Sequence, residues 1–153
     1  MKWKSELNYV PNYTFGIYLS GVIYLILQIF GLVLVVFFIP LEIFETEYGN
    51  LIVGAFFGGI LGIIMSLLFL FVKRKVIYLS FIAFLFLGLV TKAFTYSWLY
   101  AETGRISGIG MGIGLPFIIM IYLISQYKMA FIPKEKVDNI FRAIRETARK
   151  MGK

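Results

Sequence analysis

Lys92 and Gln28 are the side chains most open to a chemical role, because each falls inside a long apolar stretch where an ionisable or amide group is costly to bury. An ammonium there could meet an anion, and the two together could line a polar pathway. Glu42, Glu45 and Glu47, with Glu102, form a second set, whose carboxylates suit a hard cation or acid–base work, although acidic loops are ordinarily just solvated. Cys and His are absent. That removes thiol nucleophiles, disulfides, imidazole catalysis and the commonest zinc and haem ligands. The alternating glycines of Ile106–Leu115 superficially resemble a phosphate-cradling loop, but no strand precedes them and an apolar span follows. No motif specifies a reaction, a metal or a cofactor, so the chain is expected to be neither an enzyme nor a cofactor protein.

The elements that hold these residues are four stretches, Gly16–Pro40, Leu51–Val72, Val76–Tyr100 and Ile106–Tyr127, in which Lys92 is the single charged side chain. About 20 apolar residues at ~1.5 Å rise cross the ~30 Å hydrocarbon core of a bilayer. The expected fold is therefore all-α: an integral membrane four-helix bundle over residues 1–127, followed by a basic amphipathic cytoplasmic tail over 128–153. A soluble bundle would need a polar face on each helix, and Leu51–Val72 offers only Ser66. The first stretch reads as a retained span, since it is too long for a signal-peptide core and ends in Phe37, Phe38, Ile39 and Pro40 without a small-residue cleavage site.

Charge sets the orientation. Lys2 and Lys4, the turn Lys73–Lys75, and the tail with Lys128, Lys134, Lys136, Arg142, Arg145, Arg149, Lys150 and Lys153 fall on one side, leaving only Lys92 and Arg105 for the other. The positive-inside rule then places both termini in the cytoplasm of a multi-pass cell-membrane protein. The net charge of +7 is accounted for by topology, and nucleic acid is not an expected partner. Trp3, Tyr9, Tyr13, Tyr78 and Tyr127 would form an aromatic belt at the inner surface, with Tyr48, Tyr96, Trp98 and Tyr100 at the outer one.

Within the spans, Gly54, Gly58 and Gly62 and then Gly104, Gly108 and Gly112 repeat the spacing that lets helix backbones approach closely. Both sets fall in the outer half, so the second and fourth spans are expected to meet there, within one protomer or between two. Gln28, at mid-depth, is expected to hydrogen-bond across an interface to Thr91, Thr95 or Ser66. Lys92, ~24 Å along its helix from the inner surface, would snorkel outward or pair with an external glutamate. The glycines of Ile106–Leu115 suggest an irregular or re-entrant segment, and Pro116 a kink or hinge in the fourth span.

The tail follows a different period. Val137, Ile140, Phe141, Ile144, Ala148 and Met151 recur at helical spacing within an arc of about 100°. Lys134, Arg142, Arg145 and Arg149 lie outside it, so the helix is expected to lie on anionic lipid of the inner leaflet, a partner groove being the alternative. The aromatic N-terminal arm is expected to lie beside it. These features favour a non-enzymatic scaffold, accessory subunit or oligomeric assembly component, joined to itself or to a membrane-protein partner. A small oligomeric transporter or channel, with Gln28, Lys92 and the glycine-rich segment along its pathway, is the alternative.

Overall fold

The computed structural model describes residues 8–38, 49–103 and 110–151. The N-terminal Lys2, Trp3 and Lys4, the first loop with Glu42, Glu45, Glu47 and Tyr48, the segment holding Gly104, Arg105 and Gly108, and Lys153 lie outside the described residues. So do the side chains of Trp98, Tyr100 and Glu102.

The chain runs as a strand β1 (Tyr9–Pro11), helices α1 (Phe15–Phe38), α2 (Gly49–Phe71) and α3 (Lys75–Thr103), a π turn (Gly110–Gly114), helix α4 (Leu115–Ala130), strand β2 (Phe131–Pro133) and helix α5 (Lys134–Met151). Four of the helices are long and apolar enough to cross a membrane, over Phe15–Phe37, Ile52–Phe71, Lys75–Ser97 and Gly112–Ala130. Pro116 falls in the first turn of α4, directly after the π turn. A missing backbone donor costs least there, so the proline starts a regular helix and the irregularity stays in the glycines before it.

Each apolar helix buries only a narrow stripe. On α1 it is Ile17, Ser20, Gly21 and Tyr24; on α2 Gly59, Gly62, Ser66 and Phe69; on α3 Tyr78, Phe81, Leu85 and Leu89; on α4 Pro116, Ile119, Met120 and Leu123. The perimeter is apolar instead of polar, with Phe30, Phe57, Phe86, Phe94 and Ile118 all more than half exposed. That inverts the pattern of a water-soluble protein and suits a lipid surround. The inward hydroxyls are satisfied locally: Ser20 Oγ donates to the Gly16 carbonyl at 2.8 Å and Ser66 Oγ to the Gly62 carbonyl at 2.7 Å.

The most extensive contact is between α1 and α2; α2 also meets α3, α3 meets α4, and α4 returns to α1. Glycines make the first seam. Leu32 of α1 packs on Gly59, and a Cβ at Gly62 would lie 2.7 Å from the Gln28 carboxamide carbon. A Cβ at Gly21 would come within 2.8 Å of both Phe69 and Leu70. Of the glycines expected to let helices approach, Gly62 and Gly112 do meet a neighbouring helix closely, and their partners are α1 and α3 where an α2–α4 contact was expected. Gly62 seats α1, a Cβ at Gly112 would lie 2.5 Å from the Tyr96 hydroxyl of α3, and a Cβ at Gly54 or Gly58 would meet nothing among the described residues.

Gly21→Val should lower the stability of the detergent-solubilised protein by about 1–3 kcal/mol, because Phe69 is fully buried and cannot retreat. Gly54→Ala, whose added methyl meets nothing among the described residues, should leave stability unchanged or slightly raised. Thermal unfolding followed by circular dichroism measures both, and equal losses would contradict the α1–α2 seam.

Candidate functional site

The chemistry-bearing side chains concentrate at the end of the molecule where β1, the turn between α2 and α3, and the α4–β2–α5 junction meet. β1 and β2 form an antiparallel ribbon with Tyr9 opposite Pro133, Val10 opposite Ile132 and Pro11 opposite Phe131. Beyond it, the Asn12 amide donates to the Ala130 carbonyl at 2.8 Å, and its side-chain amide to the Met129 carbonyl at 3.4 Å. These are two of the last α4 carbonyls, which have no partner inside the helix, so the N-terminal arm caps the fourth span. Because hydrogen-bonded and non-bonded pairs alternate in an antiparallel ladder, the Asn12 bond places Val10 and Ile132 in the next bonded pair. Pro11 and Pro133 then sit where no donor is required.

Beneath the ribbon lies a continuous aromatic cluster. Phe69 stacks on Phe81 at 4.4 Å and on Tyr13 at 5.6 Å between ring centroids. Tyr78 meets Tyr13 at 5.8 Å, Phe131 at 5.4 Å and Tyr127 at 5.9 Å, and Tyr24 meets Phe81 at 5.5 Å. Tyr78 is fully buried and its hydroxyl donates to the Leu123 carbonyl at 2.7 Å. Tyr78, expected in an interfacial belt, is instead a core residue joining α3 to α4. Burial, with Tyr18 nearby, pushes the Tyr13 hydroxyl above the ordinary tyrosine pKa. That hydroxyl is buried and has no hydrogen-bond partner among the described residues.

The basic turn closes over these rings. The Lys75 ammonium lies 4.4 Å from the Tyr9 ring centroid and 5.3 Å from that of Tyr127, and Lys73 lies 5.3 Å from Tyr18. Ring faces attract cations, so Lys75 ties the N-terminal arm to the end of α4. The expectation that the arm lies beside the tail helix is thus refined: it pairs with the three residues preceding α5.

No family model, curated protein or solved structure matches this chain. Function has to be argued from its own residues.

The intramembrane polar residues sit apart from this end. Gln28 packs over Gly62, whereas Ser66, Thr91 and Thr95 donate to the carbonyls of Gly62, Leu87 and Thr91 on their own helices. Their hydroxyls are directed along the backbone and not to the amide. Lys92 is half-buried and continues the inward stripe Tyr78, Phe81, Leu85, Leu89 at the same helical spacing, with Tyr96 next. The four apolar helices contain no carboxylate within their candidate spans, and the external glutamates proposed to pair with Lys92 fall on undescribed positions or side chains.

Helix α5 packs little against the rest of the chain. None of its residues is buried, its most extensive contact runs to β2, and Ile140, Phe141, Ile144 and Met151 are all exposed. An open depression along it, lined by Pro133, Lys136, Asn139 and Ile140 among others, is helix surface without an enclosed floor. Among the described residues no group of three acidic side chains is placed to hold a metal ion.

Two tyrosine substitutions should act in opposite directions. Tyr78→Phe should cost about 1 kcal/mol by deleting a buried hydrogen bond, whereas Tyr13→Phe removes an unpartnered hydroxyl and should be neutral or stabilising. The Tyr13 shift also has a pH signature. Its hydroxyl holds its proton more tightly folded than unfolded, so it leaves stability independent of pH below about pH 10 and lowers it as pH rises beyond, where the unfolded chain ionises first. Thermal unfolding between pH 8 and pH 11 should show a shallower decline in Tyr13→Phe than in the parent.

Proposed function

We propose that the chain is a four-helix bundle of the cell membrane, with both termini and the Lys73–Lys75 turn in the cytoplasm, that works as a non-enzymatic scaffold, accessory subunit or oligomeric assembly component. Support for the orientation comes from the convergence of the basic turn, the N-terminal arm and the start of the tail at one end. The observation that carries the assembly role is the face of α2 at Gly54 and Gly58. It is close-approach spacing that meets nothing among the described residues, while Gly59 and Gly62 on the same helix already seat α1. Without a hydrophobic drive between helices in lipid, such a face is suited to a second helix, from another copy or from a membrane-protein partner.

Replacing Gly54 and Gly58 together by Ile should abolish self-association, or the recovery of a copurifying membrane protein, while the thermal unfolding of the single chain is retained. Light scattering of the detergent-solubilised protein and pull-down from native membranes read the two cases. Unchanged association in both would remove the α2 face from the assembly.

A second reading, a small oligomeric transporter or channel, is favoured by one observation: Lys92 lies on the inward stripe of α3 and not on its lipid-facing perimeter. Gln28 lies deeper, at the α1–α2 seam. Reconstituted vesicles decide the matter. An ion or solute flux lost in Lys92→Met would establish transport, and flux-free vesicles would leave the scaffold.

A further inference from the structure

The exposed apolar face of α5 is an unpartnered surface whose charge distribution restricts what can cover it. At 100° per residue, Val137, Ile140, Phe141, Ile144, Ala148 and Met151 span an arc of about 100°. Lys134 and Arg145 flank one edge and Lys136 the other, each within about 90° of the arc's centre. Asp138 falls at about 110°, and Glu135 and Glu146 stand about 170° away, on the opposite side of the helix. Three of the six cations of α5 thus border the apolar stripe, the other three, Arg142, Arg149 and Lys150, stand about 130–150° from its centre, and two of the three carboxylates point directly away from it. All these charged side chains are exposed, and Phe141 and Ile144 are each 58% exposed.

The helix also begins at a fixed level. Only Phe131–Pro133 separate it from α4, and those residues are held in the ribbon with β1, next to the Lys75 ammonium and the exposed Lys73 and Arg74 of the turn. A helix leaving the last span within three residues starts at the bilayer boundary, where a stripe about 100° wide can enter the headgroup layer and its bordering cations meet phosphate oxygens.

We infer that α5 lies on the anionic lipid surface of the leaflet next to the basic turn, with its apolar stripe embedded, Lys134, Lys136 and Arg145 on lipid phosphates, and Glu135 and Glu146 toward water. The inference rests on the membrane orientation proposed above but not on the α2 assembly face. Its recognition is of charge density and not of a particular headgroup, since the cations stand along two edges of a helix and enclose no pocket. Anionic lipids of equal charge are interchangeable.

The absence of cysteine allows a single label to report one position. Full-length Ile144→Cys and Glu146→Cys proteins, each carrying an environment-sensitive fluorophore, are placed as single copies in nanodiscs of phosphatidylcholine with or without phosphatidylglycerol. With the anionic lipid, the probe at 144 should shift to shorter wavelength and lose most of its quenching by a water-soluble quencher, while the probe at 146 stays accessible. Substituting phosphatidylserine at equal charge should reproduce the shift. Salt at 1 M, where the screening length falls to about 3 Å, should reverse the part that depends on anionic lipid, as should the double change Lys134→Glu and Arg145→Glu.

A probe at 144 that stays wet in every lipid overturns the inference. Protection of both positions regardless of lipid charge overturns it in favour of a protein groove. Protection that appears only when a nanodisc holds two copies overturns it in favour of a second α5. Because the readout uses single copies, it is independent of association through Gly54 and Gly58, and either reading can fail alone.

Discussion

The stacking of Phe69 between Phe81 and Tyr13 is the contact from which the basic end of the molecule is built. It draws together the end of α2, the start of α3 and the segment before α1, and Gly21 exists as glycine because that ring leaves no room for a side chain. Tyr78 extends the cluster to Phe131 and, through its hydroxyl, to α4. In lipid the burial of apolar surface gives helices little reason to associate, so contact quality decides the arrangement. Aromatic pairs worth about 0.5–1.5 kcal/mol each beyond their area supply that quality where the helices meet.

The polar groups follow a rule that the bilayer imposes. Ser20, Ser66, Thr91 and Thr95 bond back to their own helices, and Tyr78 finds a carbonyl with a spare lone pair. These bonds ask nothing of a neighbouring helix, except at Tyr78. Gln28 and Lys92 are the exceptions in kind, since neither can be satisfied by one local carbonyl. Gln28 lies across the glycine seam at Gly62, and Lys92 takes the next inward position of α3 above the apolar core.

Much of this was legible in the residues, and the limits have physical reasons. The four apolar stretches followed from transfer energetics, which depend on composition and length and hardly at all on partners. The tail helix followed from its period. Glycine spacing announced close approach but carries no information about which helix approaches, and so Gly62 seats α1 and not α4. Tyr78 and Tyr13 looked like interfacial rings because sequence depth cannot separate a ring facing lipid headgroups from one facing a neighbouring helix. The inward position of Lys92 was readable by counting from Tyr78, had the core stripe of α3 been known. The ribbon was the hardest to see: three residues on each side give no alternation to detect, and only the β-branched and aromatic Val10, Phe131 and Ile132 beside two prolines hinted at it.

The Asn12 cap on Ala130 and Met129 joins residues 117 and more positions apart, the first segment of the chain to the end of the last span. Closure over that distance cannot occur until the fourth helix has been made, so an arm that precedes all four helices completes its pairing only after the last of them. Tyr13 has Phe69 and Tyr78 to pack on once α2 and α3 are in place, but Tyr9 and Val10 wait for the fourth helix before they pair with Pro133 and Ile132. The ribbon acts as a completion seal: a chain truncated before Phe131 keeps the rings on which Tyr13 packs but has no strand to hold Tyr9–Pro11.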